Sequence, residues 1–307
     1  MRIGIVGCGA MGSVYAGLLA DAGNNVIVVD TWSAHVEKIN SDGLRVEGAS
    51  GDRTVRVEAM LKPEGIPVDL LIIAVKSAQA ANAAASCAPI LSEKTIVLTI
   101  QNGLGAADLV ADTIGEYRLI VGIAAAFGAS LTGPGHAHHN GMEAIKMGPF
   151  NSLEFEKAEQ ISDIWRDAGF NAEAVENVIA MQWEKLICNV AYSAPCALTD
   201  LTVGEVMESE EVGPVSRAAA IEAWNVARAL GIEISVDDPI EHIQAFARRV
   251  FNAKPSVLLD HESGRRSEID FINAAIPREA KKTDLNAPVN ETLVGLIKHK
   301  ETKLNFM

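Results

Sequence analysis

Apolar residues in the first half of the chain come in short, unbroken runs. Residues 3–6, 25–30, 69–75, 95–100, 119–126 and 144–147 each have the length and composition of a strand. Residues 11–22, between the first two runs, are rich in Ala and Leu and end at Gly23, which predicts a helix with a glycine stop. Runs that are apolar at every position belong to strands covered on both faces, so the pattern predicts a parallel sheet with helices on either side. Strands alternating with helices in this way give a doubly wound, Rossmann-type α/β domain. Beyond about Asn171 no further strand is predicted. Residues 178–190, 212–230, 239–251 and 288–299 carry apolar side chains at helical spacing, and Gly231 and Pro195 are expected to break or bend two of these helices. The predicted class is therefore α/β: an N-terminal doubly wound Rossmann-type domain (residues 1–172) followed by an all-α C-terminal domain (residues 173–307). A length of 307 residues agrees with two domains.

Charge narrows the function classes. Lys and Arg number 26 against 40 Asp and Glu, for a net charge of −14. Such a chain has no positive field to hold a phosphate backbone, which argues against a nucleic-acid partner. At 49% hydrophobic residues it is too apolar for disorder, yet it has no uncharged apolar run long enough for a transmembrane helix. The chain opens directly on its first strand with no charged-then-apolar leader, so a cytoplasmic location is expected and a membrane partner is not. Cys8, Cys87, Cys188 and Cys196 lack ligand spacing, so neither a zinc site nor a disulfide framework is expected.

The first candidate chemistry is Gly7-Cys8-Gly9-Ala10-Met11-Gly12, between the first strand and the first helix. Gly7 permits the tight turn, Gly9 lets the backbone approach a pyrophosphate, and Gly12 lets the helix pack close to the strand. The helix N-terminus then offers N–H groups to the diphosphate, so a dinucleotide is the expected ligand. Asp30 ends the second run, eighteen residues past Gly12. A carboxylate there accepts from ribose hydroxyls and repels a 2′-phosphate, and no Arg or Lys follows before Lys38. NAD(H) is accordingly favoured over NADP(H).

Four further clusters bear on the reaction. Val75-Lys76-Ser77 ends a predicted strand, where ligands of open α/β sheets bind, although a solvated lysine fits the position equally well. In Gln101-Asn102-Gly103-Leu104-Gly105, Asn102 could bridge cofactor and substrate or simply serve a turn. In Gln182-Trp183-Glu184-Lys185-Leu186-Ile187-Cys188-Asn189, Lys185 and Asn189 share a face of a mostly apolar helix. Partial burial there would lower the lysine pKa and suit it to general-acid work; a snorkelling lysine is the plainer reading. Glu268 in Ser267-Glu268-Ile269-Asp270-Phe271-Ile272-Asn273 could hold a substrate hydroxyl or a cofactor group, or be a surface acid. His136 and His138 would share one side of a strand; a polar hairpin edge or a contact near the cofactor suits them better than a metal, and no metal ligand set is assigned.

Together these segments, with Pro255-Ser256-Val257-Leu258-Leu259-Asp260 and Ala287-Pro288-Val289-Asn290, resemble the ketopantoate reductase (2-dehydropantoate 2-reductase) family in order and approximate spacing along the whole chain. The resemblance implies NAD(P)H-dependent reduction of 2-dehydropantoate to pantoate, an oxidoreductase acting on a CH–OH group in pantothenate biosynthesis. It implies that Lys185 is the general acid and that Glu268 orients the reacting groups or meets the cofactor. Lys76 would contact the cofactor, Asn102 both cofactor and substrate, and Asn189 and Ser256 the substrate. Three positions depart from the family pattern. Asp30-Thr31 stands where a basic residue is common, Ser193 where a second substrate-contacting Asn is often found, and Val203-Gly204 near a further Asn. Ser193 is expected to take the place of the missing amide. Fewer amides lean towards a second reading: an NAD-dependent 2-hydroxyacid dehydrogenase of the same fold family acting on a branched or aromatic 2-keto acid. A non-catalytic dinucleotide sensor is a third, since Rossmann domains allow it, but a sensor has no use for a proton donor. The expected partner is a small-molecule 2-keto acid, with a homodimer through the helices of the second half as the expected assembly.

Overall fold

The computed structural model describes residues 1–125, 128–141 and 144–304. The chain divides into two compact units, one of Met1–Gln101 and Ala106–Val178, the other of Asn102–Gly105 and Ile179–Met307.

The first unit contains, in chain order, β1 (Arg2–Val6), α1 (Ala10–Asp21), β2 (Asn25–Val29), α2 (Ser33–Asp42), β3 (Leu44–Gly48), β4 (Arg53–Val55), β5 (Glu58–Met60), β6 (Leu70–Ile73), α3 (Ala80–Ser86), β7 (Ile96–Thr99), α4 (Ala106–Ile114), β8 (Leu119–Ala125), β9 (Gly128–Gly133), β10 (His136–Gly141), β11 (Ala144–Pro149), α5 (Phe155–Asp167) and β12 (Ala172–Ala174). Eight strands form one sheet in the order β12-β11-β8-β7-β6-β1-β2-β5. All neighbours pair in parallel except β8 and β11, which are antiparallel. The chain leaves β1 towards β2 on one side and returns to β6 on the other, with Ile5 opposite Val28 and Ile72. That reversal is the switch point beyond whose strand ends open α/β sheets bind ligands. The apolar runs are buried as their pattern requires: all four residues of β6 are inaccessible to solvent, as are Ile3 and Ile5 of β1. Behind them Tyr15, Trp165 and Phe170 form an edge-on aromatic cluster with centroids 4.7–6.0 Å apart.

A second sheet, β4-β3-β10-β9, is absent from the sequence-based expectation. Its strands are short and interleave polar residues such as Arg45, Glu47, Arg53, His136 and His138 with single buried ones, so no apolar run announces them. It packs on α1, where Gly17 admits the Val46 side chain: a Cβ there would lie 2.5 Å from Val46 Cγ2. Strand β10 is interior, paired with β3 and β9, so His136 and His138 do not lie on a hairpin edge. They lie instead 3.3 and 3.7 Å from the Glu47 carboxylate. Strands also continue past Asn171: β12 pairs in parallel with β11, and its three residues, Ala-Glu-Ala, are too few and too small to register as a run. Ala126, the predicted end of the fifth run, lies outside the described residues.

The second unit is helical, with α6 (Val178–Thr199), α7 (Val203–Glu208), α8 (Gly213–Ala229), α9 (Pro239–Arg249), α10 (Ser256–Glu262), α11 (Ala275–Ala280) and α12 (Pro288–Lys303). Helix α6 continues nine residues beyond its predicted end and holds Pro195 inside it rather than stopping there. The lost hydrogen bond is offset by burial, since Tyr192, Ala194, Cys196 and Ala197 are all in the core. Among the described residues no helix is long and apolar enough to cross a membrane.

A buried polar network holds two further motif residues, Asn273 and Asn290. Glu222 of α8 accepts from Val289 N (2.8 Å) and Asn290 N (2.9 Å), capping α12, whose own cap residue Ala287 has no acceptor. Asn290 Nδ2 donates to Ala219 O (3.0 Å). Asn273 Nδ2 donates to Asn290 Oδ1 (2.9 Å) and to Val190 O of α6 (3.0 Å). Both amides are fully buried. Replacing Asn290 with Ala strips partners from buried groups on α8, α11's approach and α12 at once. Urea unfolding is expected to show a loss of about 2–3 kcal/mol.

Candidate active site

Two constellations, one in each unit, hold the residues singled out by sequence.

In the first unit, the turn after β1 is closed by Gly7 N donating to Val29 O (2.8 Å). Gly7 has φ +89°, and a Cβ on it would stand 2.8 Å from the Val75 nitrogen. A Cβ on Gly12 would stand 2.0 Å from the Gly7 carbonyl oxygen. Both positions therefore admit only glycine, as a tight strand-to-helix turn requires. Gly9 differs: a Cβ there would meet nothing within 4 Å, so the space over the turn is open. Gly9 is also the cap residue of α1 and offers no side-chain acceptor, so the first-turn N–H groups at Ala10, Met11 and Gly12 face outward with no acid in that turn. This fits a diphosphate. Cys8 is buried, and burial pushes its thiol up to about 12, so it is not a nucleophile. Ser13 Oγ locks the turn by donating to Cys8 O (2.9 Å).

Asp30 follows β2 directly. Its backbone N donates to Met60 O, and its Oδ1 accepts from Trp32 N (2.9 Å) in a local turn that fixes the carboxylate. Its charge reaches both Cys8 and the buried His35, which places it beside the glycine turn. Lys76 is exposed just past β6. Gln101, not predicted to act, ties the ends of two strands: its Nε2 donates to Ile73 O (2.6 Å) and Val75 O (3.1 Å).

In the second unit, Lys185 Nζ donates to Asn102 Oδ1 at 2.7 Å. The lysine side chain is half-buried and its ammonium is withdrawn from water. This desolvation pushes its pKa down from 10.5 to about 8, against the opposing pull of the Glu268 carboxylate. Lys185, Asn102 and Glu268 are thus brought together. Asn189 and Ser193 continue the Lys185 face of α6 in steps of four, with Ser193 buried. Ser256 is the first residue of α10.

The segment 102–105 is built into this unit by its backbone. Leu104 N donates to Phe271 O (2.8 Å), Gln182 Nε2 to Gly103 O (3.0 Å) and Arg278 Nη2 to Leu104 O (3.0 Å). Gly103 has φ +81°, and a Cβ on it would fall 1.9 Å from Phe271 O. Gln182, Arg278 and the Phe271 carbonyl were not foreseen as site residues. Gln182 had a signal, since it lies three residues before Lys185 on the same helix; Arg278 and Phe271 act through backbone contacts that no spacing reveals.

Comparison with known proteins decides the family. The model for "Ketopantoate reductase PanE/ApbA" matches residues 3–152, and that for its C-terminal domain matches residues 177–301. The chain belongs to the ketopantoate reductase family. A 2-dehydropantoate 2-reductase from Streptococcus pyogenes serotype M3 is 30% identical over 308 residues, covering 100% of both chains. The crystal structure of a PanE/ApbA family ketopantoate reductase from Ralstonia eutropha JMP134 superposes with a TM-score of 0.89 at 32% identity, over 99% of each chain. The ternary structure of D-mandelate dehydrogenase with NADH and anilino(oxo)acetate superposes with a TM-score of 0.91 at 26% identity, over 100% of each. As a ketopantoate reductase family member the chain is an oxidoreductase with the family's α/β and helical architecture, and the family binds nicotinamide dinucleotides.

Proposed function

We propose that this family member reduces a 2-keto acid, 2-dehydropantoate in the first place, with NADH favoured over NADPH and with Lys185 as general acid. The observation that carries the reading is the Lys185 amine: withdrawn from water, hydrogen-bonded to Asn102 and balanced by Glu268. Gly7, Cys8, Gly9, Ala10, Met11 and Gly12 would hold the dinucleotide diphosphate, Asp30 its ribose, and Lys76 and Asn102 the remainder. A nicotinamide dinucleotide held by these residues would supply a hydride for the keto carbon. Lys185 holds a proton at Nζ and delivers it to the keto oxygen as that oxygen gains charge, where a nearby ammonium stabilises the transition state more than the ground state. Asn102 fixes the direction of Nζ. Asn189, Ser193 and Ser256 position the substrate, and Glu268 keeps the lysine charged near neutral pH.

A lysine with a pKa of about 8 is charged below that pH and neutral above it. Reduction needs the charged form, so kcat/KM is expected to be level below pH 8 and to fall above it, while kcat/KM for oxidation of the hydroxyacid rises through the same range. Glu268→Gln removes the opposing charge and is expected to move the midpoint to lower pH. A pH profile with no inflection between pH 7 and 9 would remove Lys185 from the proton-transfer step.

Asp30 supports NADH. Asp30→Asn is expected to raise the ratio of kcat/KM for NADPH over NADH by about tenfold, because the repulsion of a 2′-phosphate is lost. Stopped-assay initial rates with both cofactors measure this.

A second reading has its own support. Val203 is buried and Gly204 lies flat against the Phe251 ring, where a Cβ would fall 2.3 Å from ring carbons. Neither offers a polar side chain. That favours a less hydroxylated, bulkier 2-keto acid, in line with the likeness to D-mandelate dehydrogenase.

A further inference from the structure

Glu301 stands near the end of α12, and its side chain is 12% exposed. One of its oxygens, Oε1, receives three neighbours. Ser267 N donates at 2.9 Å, Ser267 Oγ donates at 2.6 Å, and His261 Nε2 lies at 3.2 Å. Ser267 directly precedes Glu268, and His261 belongs to α10, the helix that Ser256 begins. The loop between α10 and Ser267 is drawn in by Asp260, whose carbonyl accepts from Arg265 N (2.8 Å) and whose buried carboxylate pairs with Arg265 Nε (3.3 Å). On its other side Glu268 is followed by a tight turn, Phe271 N donating to Glu268 O (2.9 Å), and Phe271 O is the acceptor for Leu104 N in the Asn102 segment. Glu268 therefore sits between two backbone anchors. One is the segment that carries Asn102; the other is Glu301.

We infer that Glu301 is a positioning residue for the reduction: by clamping the N–H and hydroxyl of Ser267, with the ring of His261 on the same oxygen, it sets the direction of Glu268. A charged acceptor taking a peptide N–H in a nearly buried place is stronger and more directional than a surface ion pair. A helix end that only needed fastening to α10 could bond His261 alone. The bond to the peptide N–H of Ser267 fixes the backbone one residue before Glu268, and a small error in the placement of an orienting group is costly in rate. This inference rests on the reading of Glu268 and Lys185 given above.

The test is a double-mutant cycle with Glu301→Ala, Glu301→Gln, Glu268→Gln and Glu301→Ala/Glu268→Gln, with Ser267→Ala as a milder lesion should Glu301→Ala fold poorly. For each, kcat and KM for the keto acid, the Kd for NADH by fluorescence, and the melting temperature are measured. Glu301→Ala is expected to lower kcat by about 10–100-fold with the NADH Kd unchanged. Glu301→Gln, which keeps an acceptor for Ser267, is expected to recover most of that loss, and Ser267→Ala to lose less than Glu301→Ala. In the Glu268→Gln background, Glu301→Ala is expected to cost almost nothing further. The inference is overturned if Glu268→Gln is crippled while Glu301→Ala and Ser267→Ala keep wild-type kcat, or if the two losses multiply independently. If Glu268→Gln itself keeps wild-type kcat, the reading of Glu268 fails first, and Glu301 has nothing to position.

Discussion

Replacing Lys185 with Ala is expected to lower kcat for keto-acid reduction by about 10²–10⁴-fold, the range a positioned general acid contributes. The affinity for NADH is expected to stay near its wild-type value, because the glycine turn and Asp30 that would hold the cofactor belong to the first unit, with their own hydrogen bonds. The fold is expected to survive. Lys185 is desolvated enough to hold its pKa near 8, so its charge is a cost to the folded state, and the alanine variant is expected to melt no lower than the wild type. Lys185→Arg keeps the charge but is not expected to restore turnover, since a guanidinium does not give up its proton in this pH range. Steady-state kinetics, fluorescence titration of NADH and a thermal melt check these four expectations. Equal losses in kcat and in NADH binding would mean that the lysine holds the cofactor rather than the proton.

The second large effect is expected at Gly103. Its φ of +81° is unfavourable for any other residue, and a Cβ would overlap the Phe271 carbonyl oxygen at 1.9 Å. Gly103→Ala must therefore push the 102–105 segment away from Phe271. This breaks the Leu104–Phe271 hydrogen bond and carries Asn102 away from Lys185. A displacement of about 1 Å is expected to cost about 10²-fold in kcat. The backbone strain and the lost bond together are expected to cost about 2–4 kcal/mol of stability. Losing the Asn102 bond also removes the group that aims Nζ. Calorimetry and steady-state kinetics on the same sample separate the two effects.

The strands of the main sheet were legible because burial on both faces leaves a run of apolar residues, as in Leu70–Ile73 and Ile96–Thr99. The glycine turn was legible because its geometry excludes every other residue at Gly7 and Gly12. Helix α6 was legible as far as Val190, but not past Pro195, because propensity penalises a proline that tertiary burial tolerates. The second sheet was not legible: Arg45 pairs with Glu47, and His136 lies beside the same carboxylate, on its polar side, and single residues such as Val46 and Ala137 carry its buried side. Of the site, sequence pointed to Lys185, Asn102 and Glu268 individually. It could not reveal that residues 102–105 pack with the helical unit, since that grouping rests on backbone bonds to Phe271, Gln182 and Arg278 far along the chain. Glu301 was equally hidden, an acid among charged residues at the end of a helix, because its partners are a backbone N–H, a hydroxyl and an imidazole brought together only by folding.

The most direct measurement is the initial rate of NADH and NADPH oxidation with ketopantoate, run beside a panel of branched and aromatic 2-keto acids, for the wild type and for Lys185→Ala. The account predicts ready turnover of ketopantoate with NADH, slower turnover with NADPH, and near-complete loss in the variant. Absence of cofactor oxidation with ketopantoate and with every other 2-keto acid, by a protein that still binds NADH, would contradict it.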